Sequence, residues 1–263
     1  MDIKKLNKLS PKIKRKAIEE ELEHIPASFF EFTNNEISNY SLNETKTGIN
    51  TNVSARVITN WLQKDVIKID DSDIGKVKRF NRLENIWLNV VIDLRKFGIP
   101  LNSLKYIRTQ LFDYLVNDYC LFKLKILQSI IDSPEYLVIN DNNEVGFYPY
   151  QSYADKVAKG RLYSHINLRF INYIQLEYPN NKFNIDFGIK NIDEDVEKVT
   201  LLFYLKTNDF KEIRIVLSDG DTRLITDSSD LKVNKKLLKI VQDWRFKSIT
   251  VQINDEVKFI IEN

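Results

Sequence analysis

The chain has one cysteine, one methionine and two histidines in 263 residues. A lone thiol, Cys120, excludes an internal disulfide and any cysteine-built metal site. It sits among Tyr119, Leu121 and Phe122 and reads as an inert core thiol. Neither His24 nor His165 has a cysteine near it in sequence, so each reads as a surface or packing residue. The seven glycines are scattered, so no glycine-rich loop can cradle a phosphate. Gly-x-Ser-x-Gly, His-Glu-x-x-His and Cys/His nucleophile patterns are all missing. No apolar run reaches the ~20 residues that span a bilayer, and no apolar core of a signal peptide opens the chain. The expectation is a cytoplasmic protein that is not an enzyme, with no catalytic residue, metal, cofactor or membrane contact.

What is present is a folded composition, 43% hydrophobic and 29% charged, long enough for two domains. The net charge of +2 names no partner, but its distribution is uneven. From Glu44 to Arg108 there are twelve basic and seven acidic residues; from Ile192 onward there are twelve and fourteen. The excess of positive charge falls on one stretch, as a phosphate-binding surface requires.

That stretch carries the most specific pattern. Ser54 is an N-cap candidate, and Val57, Ile58, Trp61 and Leu62 follow at spacings that place an apolar stripe on one helix face. Arg56, Thr59, Asn60 and Gln63 lie off the stripe. A short helix with an Arg/Asn/Gln outer side suits a major groove, where Arg pairs with guanine or phosphate and Asn or Gln with adenine. Lys76, Lys78, Arg79 and Phe80 come next, and then Asn81 and Glu84 form a capping-box pair ahead of Ile86, Trp87, Val90, Val91 and Leu94. Gly98 is a good residue to end that helix, and Pro100 prevents its continuation. Leu101, Leu104 and Ile107 begin another.

In these residues the chain resembles the DNA-binding domain of the MerR family of transcription regulators. Val53, Ser54, Arg56, Ile58, Trp61, Val66 and Ile67 follow its helix-turn-helix pattern. Lys78, Arg79, Phe80 and Asn81 follow the end of its wing, and Leu94, Arg95, Phe97, Gly98, Ile99, Leu101, Leu104 and Ile107 follow its last helix pair. The resemblance covers about a quarter of the chain. It implies double-stranded DNA as partner, with Arg56, Thr59, Asn60 and Gln63 facing bases or adjoining backbone. Lys64, Lys76, Lys78 and Arg79 would contact phosphates, and Trp61, Phe80 and Trp87 would be core. There are departures. Asp65 stands where the family prefers glycine, and Thr59-Asn60 replaces a frequent Arg-Tyr pair. The segment from Tyr40 to Val53, which should hold the first helix of the motif, is a poor helix former.

Around the motif, Ser10-Pro11 starts an expected helix over 11–24, with Phe29, Phe30 and Phe32 packing behind it. From Asn102 to about Ile131 the pattern is helical, without sustained heptads, and Asp132-Ser133-Pro134 stops it. Tyr136–Ile139 and Val145–Tyr148 read as a hairpin, His165–Leu168 as a strand and Asn172–Leu176 as a helix.

The last third repeats itself. Phe210–Asp219 lies over Phe246–Asp255, an offset of 36, which also carries Leu201-Leu202 onto Leu237-Leu238 and Leu224-Ile225 onto Ile260-Ile261. Val199–Lys206 has the composition of a buried strand, but its counterpart Lys235–Gln242 is a plain amphipathic helix, so both are read as helices. Asp219 and Asp255 are turn residues. Each copy resembles a small uncharacterised αββ domain of bacteria, which implies no activity.

The expected fold class is α+β. An N-terminal helical arm (1–38) leads into a winged helix-turn-helix domain with a trailing helix (39–132) and a mixed connector (133–192). A tandem αββ repeat (193–263) then forms one antiparallel sheet with its helices on one face. The expected function is sequence-specific DNA-binding transcription regulation, with the repeats supplying a homo-oligomer (dimer) contact or a protein-partner surface. Two alternatives stand beside it. One is an architectural or excision-type factor of a mobile element or phage; the other is an assembly protein with a degenerate helix-turn-helix.

Overall fold

Helices alternate with short antiparallel ladders along the chain, in a computed structural model that describes residues 25–48, 51–70, 73, 79–113, 115–116 and 119–263. The helix expected over 11–24 lies outside the described residues. Helices α1 (Ala27–Asn34) and α2 (Glu36–Asn39) lead into a π-helical turn, Tyr40–Glu44, and strand β1 (Lys46–Gly48). Next come α3 (Ala55–Gln63), β2 (Arg79–Asn81), α4 (Arg82–Lys96) and α5 (Leu101–Arg108). A second π-turn, Thr109–Asp113, precedes a two-residue ladder of β3 (Leu115–Val116) and β4 (Tyr119–Cys120), and α6 (Leu121–Ile131) follows.

The continuous helical pattern expected from Asn102 to Ile131 is therefore broken in the middle. The sequence around the break, Val116-Asn117-Asp118, consists of residue types with low helix propensity.

Strands β5 (Glu135–Asn140), β6 (Val145–Pro149) and β7 (His165–Arg169) form an antiparallel sheet with β5 central, and α7 (Tyr150–Ala158) lies between β6 and β7 in sequence. Helix α8 (Ile171–Glu177) follows directly. The remainder is α9 (Val196–Thr207), β8 (Glu212–Leu217), β9 (Thr222–Ile225), α10 (Ser229–Val233), α11 (Lys235–Gln242), β10 (Phe246–Gln252) and β11 (Lys258–Glu262). Its four strands form one antiparallel sheet in the order β11-β10-β8-β9.

The repeat is visible in the strand register. Ile213 pairs with Ile225 in the first hairpin and its counterpart Ile249 with Ile261 in the second. Across the central pair, Ile213 faces Val251 and Ile215 faces Ile249, so exchanging the copies leaves the pairing unchanged. This is a local pseudo-twofold between two αββ units. Val199–Lys206 lies within helix α9, and α10 is an addition with no counterpart among the elements of the second copy. Asp195 caps α9, its carboxylate accepting from the Glu197 N–H at 2.9 Å.

One contiguous apolar cluster runs from Phe29 and Phe32 through Trp61, Trp87 and Phe122 to Phe203, Ile213, Ile249 and Ile261. Two buried ion pairs cross it. Lys125 of α6 meets Glu135 of β5 at 3.2 Å, and Arg108 of α5 meets Glu84 of α4 at 2.5 Å. Among the described residues no helix is long and apolar enough to cross a membrane.

Candidate nucleic-acid interface

Helix α3 is held by its apolar side. Ile58 and Trp61 are buried, while Val57, expected on that stripe, is exposed. Ser54 occupies the N-cap with extended backbone, yet its hydroxyl makes no capping bond; its carbonyl accepts from the Val57 and Ile58 N–H groups at 2.9 and 3.1 Å.

The helix ends in a tight turn at Asp65, whose φ of +56° is left-handed. This is the position where the resembled family has glycine, and aspartate is among the few residues that adopt that conformation. The Asp65 carboxylate is held by Lys105 of α5 at 2.7 Å, and the Lys105 ammonium keeps its pKa below the ordinary value. The next residues, Val66 and Ile67, are buried, and the Val66 carbonyl accepts from Trp87 Nε1 at 2.7 Å.

A second clamp lies one turn deeper. Glu84 was expected to complete a reciprocal capping box with Asn81. Asn81 does its half, its side-chain oxygen accepting from the Glu84 N–H at 2.8 Å. The Glu84 carboxylate instead takes both terminal nitrogens of Arg108, at 2.5 and 3.2 Å, and the Lys68 N–H at 3.2 Å. A buried guanidinium offers a stronger partner than a helix-end N–H. Burial pushes the Glu84 carboxyl up in pKa, against the pull of Arg108. The Arg108 guanidinium also lies 3.9 Å over the Phe112 ring. The loop leaving α3 is thus tied to α4 and α5.

The outward side is polar. Arg56, Asn60 and Gln63 recur at i, i+4 and i+7, which places them in one row along the helix. They are exposed, as is Lys64, and among the described residues none of the four makes a side-chain hydrogen bond or ion pair. Thr59 is half-buried, its hydroxyl donating to the Ala55 carbonyl at 2.8 Å. Arg56, Val57, Thr59, Asn60 and Gln63 together line one open recess.

Arg79 is exposed at the start of β2, opposite Gly48 of β1. Lys76 and Lys78, expected to join it in the wing, lie outside the described residues.

The sequence reading missed the partner of β2. The segment from Tyr40 to Val53, where the motif needs its first helix, holds the π-turn and strand β1, which pairs Lys46 with Asn81, Thr47 with Phe80 and Gly48 with Arg79. A β-branched threonine and a glycine resist a helix here. Lys46 is anchored by Asp70 and Asp73 at 2.9 and 2.5 Å. No local signal could have revealed this pairing or the Glu84–Arg108 clamp.

Among the described residues no group of histidine, cysteine and carboxylate side chains could hold a metal ion. Compared with protein families, with curated proteins and with solved structures, the chain matches none.

Proposed function

We propose that the protein binds double-stranded DNA as a sequence-specific transcription regulator acting in the cytoplasm. In this reading α3 lies in the major groove and Arg79, with Lys76 and Lys78, contacts phosphates from a wing. The observation that carries it is the row Arg56, Asn60, Gln63. These are three side chains able to read base edges, exposed and unpaired on a helix whose other face is fixed by Ile58, Trp61 and the Asp65 turn. Lys64 extends the row toward the backbone. The αββ units would supply a dimer contact or a partner surface, since β9 and β11 are edge strands of their sheet.

The test is fluorescence anisotropy of a labelled duplex from the gene's own upstream region beside a scrambled one, across a salt series. Tight, salt-dependent binding that prefers the native duplex supports the regulator. Equal, weak binding to both supports an architectural or excision-type factor.

One observation favours a different reading. With a strand where the first helix of the motif belongs, this second reading is an assembly protein that keeps the scaffold of a reading helix. Absence of binding to either duplex at low salt, with oligomers in solution, would decide for it.

A further inference from the structure

A second polar surface lies on the β5–β7 sheet and α7, outside the motif. From Tyr150 to Arg169 there are four cations, Lys156, Lys159, Arg161 and Arg169, against one carboxylate, Asp155. That carboxylate is taken by Lys159 at 2.6 Å. Among the described residues Lys156, Arg161 and Arg169 form no ion pair within 4.0 Å, although Lys159, joined by Arg161 and Lys156, holds the Asp155 carboxyl below its ordinary pKa.

Tyrosines are interleaved with these cations. Tyr148, Tyr136 and Arg169 stand side by side across the three strands. The Tyr153 ring stacks on Tyr136 at 5.0 Å and 26°, and Tyr150 lies 6.2 Å from Tyr136. Lys156 Nζ sits 4.7 Å from the Tyr148 ring centroid. Tyr150 is 64% and Tyr163 70% exposed, and α7 buries none of its residues. Tyr150 at the start of α7 and Tyr163 beyond its end thus leave two large rings in water on a segment rich in cations.

The surface is also rigid. His165 Nδ1 lies 2.5 Å from the Tyr163 carbonyl, which can only accept, so Nδ1 carries the proton. Nε2 is then free to accept from the Tyr153 hydroxyl at 3.0 Å, and that hydroxyl oxygen accepts from Asn167 Nδ2 at 2.5 Å. Through Tyr153, α7 is tied to two residues of β7, and Tyr150 on the same helix is positioned with it.

The geometry points to a binding surface for single-stranded DNA, with unpaired bases stacking on Tyr150 and Tyr163 and phosphates meeting Lys156, Arg161 and Arg169. A duplex keeps its base faces inside its own stack, and an acidic peptide would use the cations without the rings; unpaired nucleotides use both. This goes beyond the duplex reading and does not rest on it.

The test uses the full chain and a fluorescein-labelled oligothymidylate of about 16 nucleotides, the upper end of single-fold site sizes. Wild type should bind in a salt-dependent way. Tyr150→Ala with Tyr163→Ala should weaken binding about tenfold or more. Arg161→Ala with Arg169→Ala should weaken it and lower the salt slope by about 1.4. Both pairs are exposed, so circular dichroism should be unchanged. Asn60→Ala should leave oligothymidylate binding intact. The proposal is overturned if wild type does not bind at low salt, if the tyrosine pair binds as wild type does, if Asn60→Ala abolishes binding, or if oligouridylate is preferred. Tyrosine-dependent binding of the oligomer without any duplex binding would leave this surface standing and remove the duplex reading.

Discussion

The outer side of α3 and the β8–β9 hairpin of the αββ pair handle charge in opposite ways. At the hairpin, Lys211, Arg214 and Arg223 each meet a carboxylate within 4.0 Å, although Lys235, Lys236, Lys247 and Lys258 elsewhere in the repeats meet none among the described residues. Around α3, Arg56, Lys64 and Arg79 meet none among the described residues, while Glu84–Arg108, Asp65–Lys105 and Lys46 with Asp70 and Asp73 hold the scaffold. A surface whose cations are neutralised locally has little left to offer a polyanion. One whose carboxylates are spent on fixing the backbone leaves its cations and amides available. Exposed cations therefore have different consequences in the two places.

The largest expected effect tests the scaffold. Glu84→Gln leaves Arg108 buried without its counter-charge and should cost about 3–5 kcal/mol in denaturant unfolding. Arg223→Ala, which breaks an exposed pair in the repeats, should cost about 1 kcal/mol or less. Equal losses would mean that the two regions do not differ in this way. Next in size, Asn60→Ala should weaken binding to the native duplex by about 1–3 kcal/mol while leaving a scrambled duplex unaffected, measured by anisotropy. A uniform loss would move Asn60 from base reading to backbone contact.

Lys123 offers a third test. It is buried, its ammonium donates to Asn39 Oδ1 at 2.5 Å, and burial lowers its pKa from 10.5 to about 8. Below pH 8 the folded state holds the charge at a cost the unfolded chain does not bear. Between about 8 and 10.5 the unfolded state binds more protons, so stability rises with pH through that window. Lys123→Met should therefore stabilise the fold by roughly 1–2 kcal/mol at pH 7, with the advantage fading by pH 10. A constant difference across that range would remove desolvation as the cause. The smallest effect separates the regions again. Arg79→Ala should lower the salt slope of duplex binding by about 0.9, and Arg223→Ala should leave it unchanged.

Much of this fold was legible where one segment carries its own instructions. Gly98, with a φ of +84°, ends α4, and the Leu94 carbonyl accepts from the Ile99 N–H at 3.1 Å, as the Gly-x-Pro spacing implied. Ile58 and Trp61 were readable as the inward face of α3 from spacing alone. The strand-like composition of Val199–Lys206 was corrected by its repeat, because two copies of one unit must solve the same burial problem. The polar row Arg56, Asn60, Gln63 was legible because helical periodicity fixes which residues share a face. Composition could not show that Val57 would stay exposed, since an apolar side chain is buried only if something packs on it.

The sequence by itself determined the stops of α4 and α6, the inward placing of Ile58 and Trp61 on α3, the αββ duplication and the charge excess between Glu44 and Arg108. Each follows from propensity or periodicity over a few neighbouring residues. Only the tertiary structure decided that Lys46–Gly48 is a strand bonded to Arg79–Asn81, that Glu84 leaves its cap for Arg108, and that Tyr153 is pinned by His165 and Asn167. The first two join residues more than twenty positions apart, and the last depends on α7 packing against a sheet. Such choices are settled by competition among partners brought together by the core, where the strongest available hydrogen bond or charge pair displaces the local one.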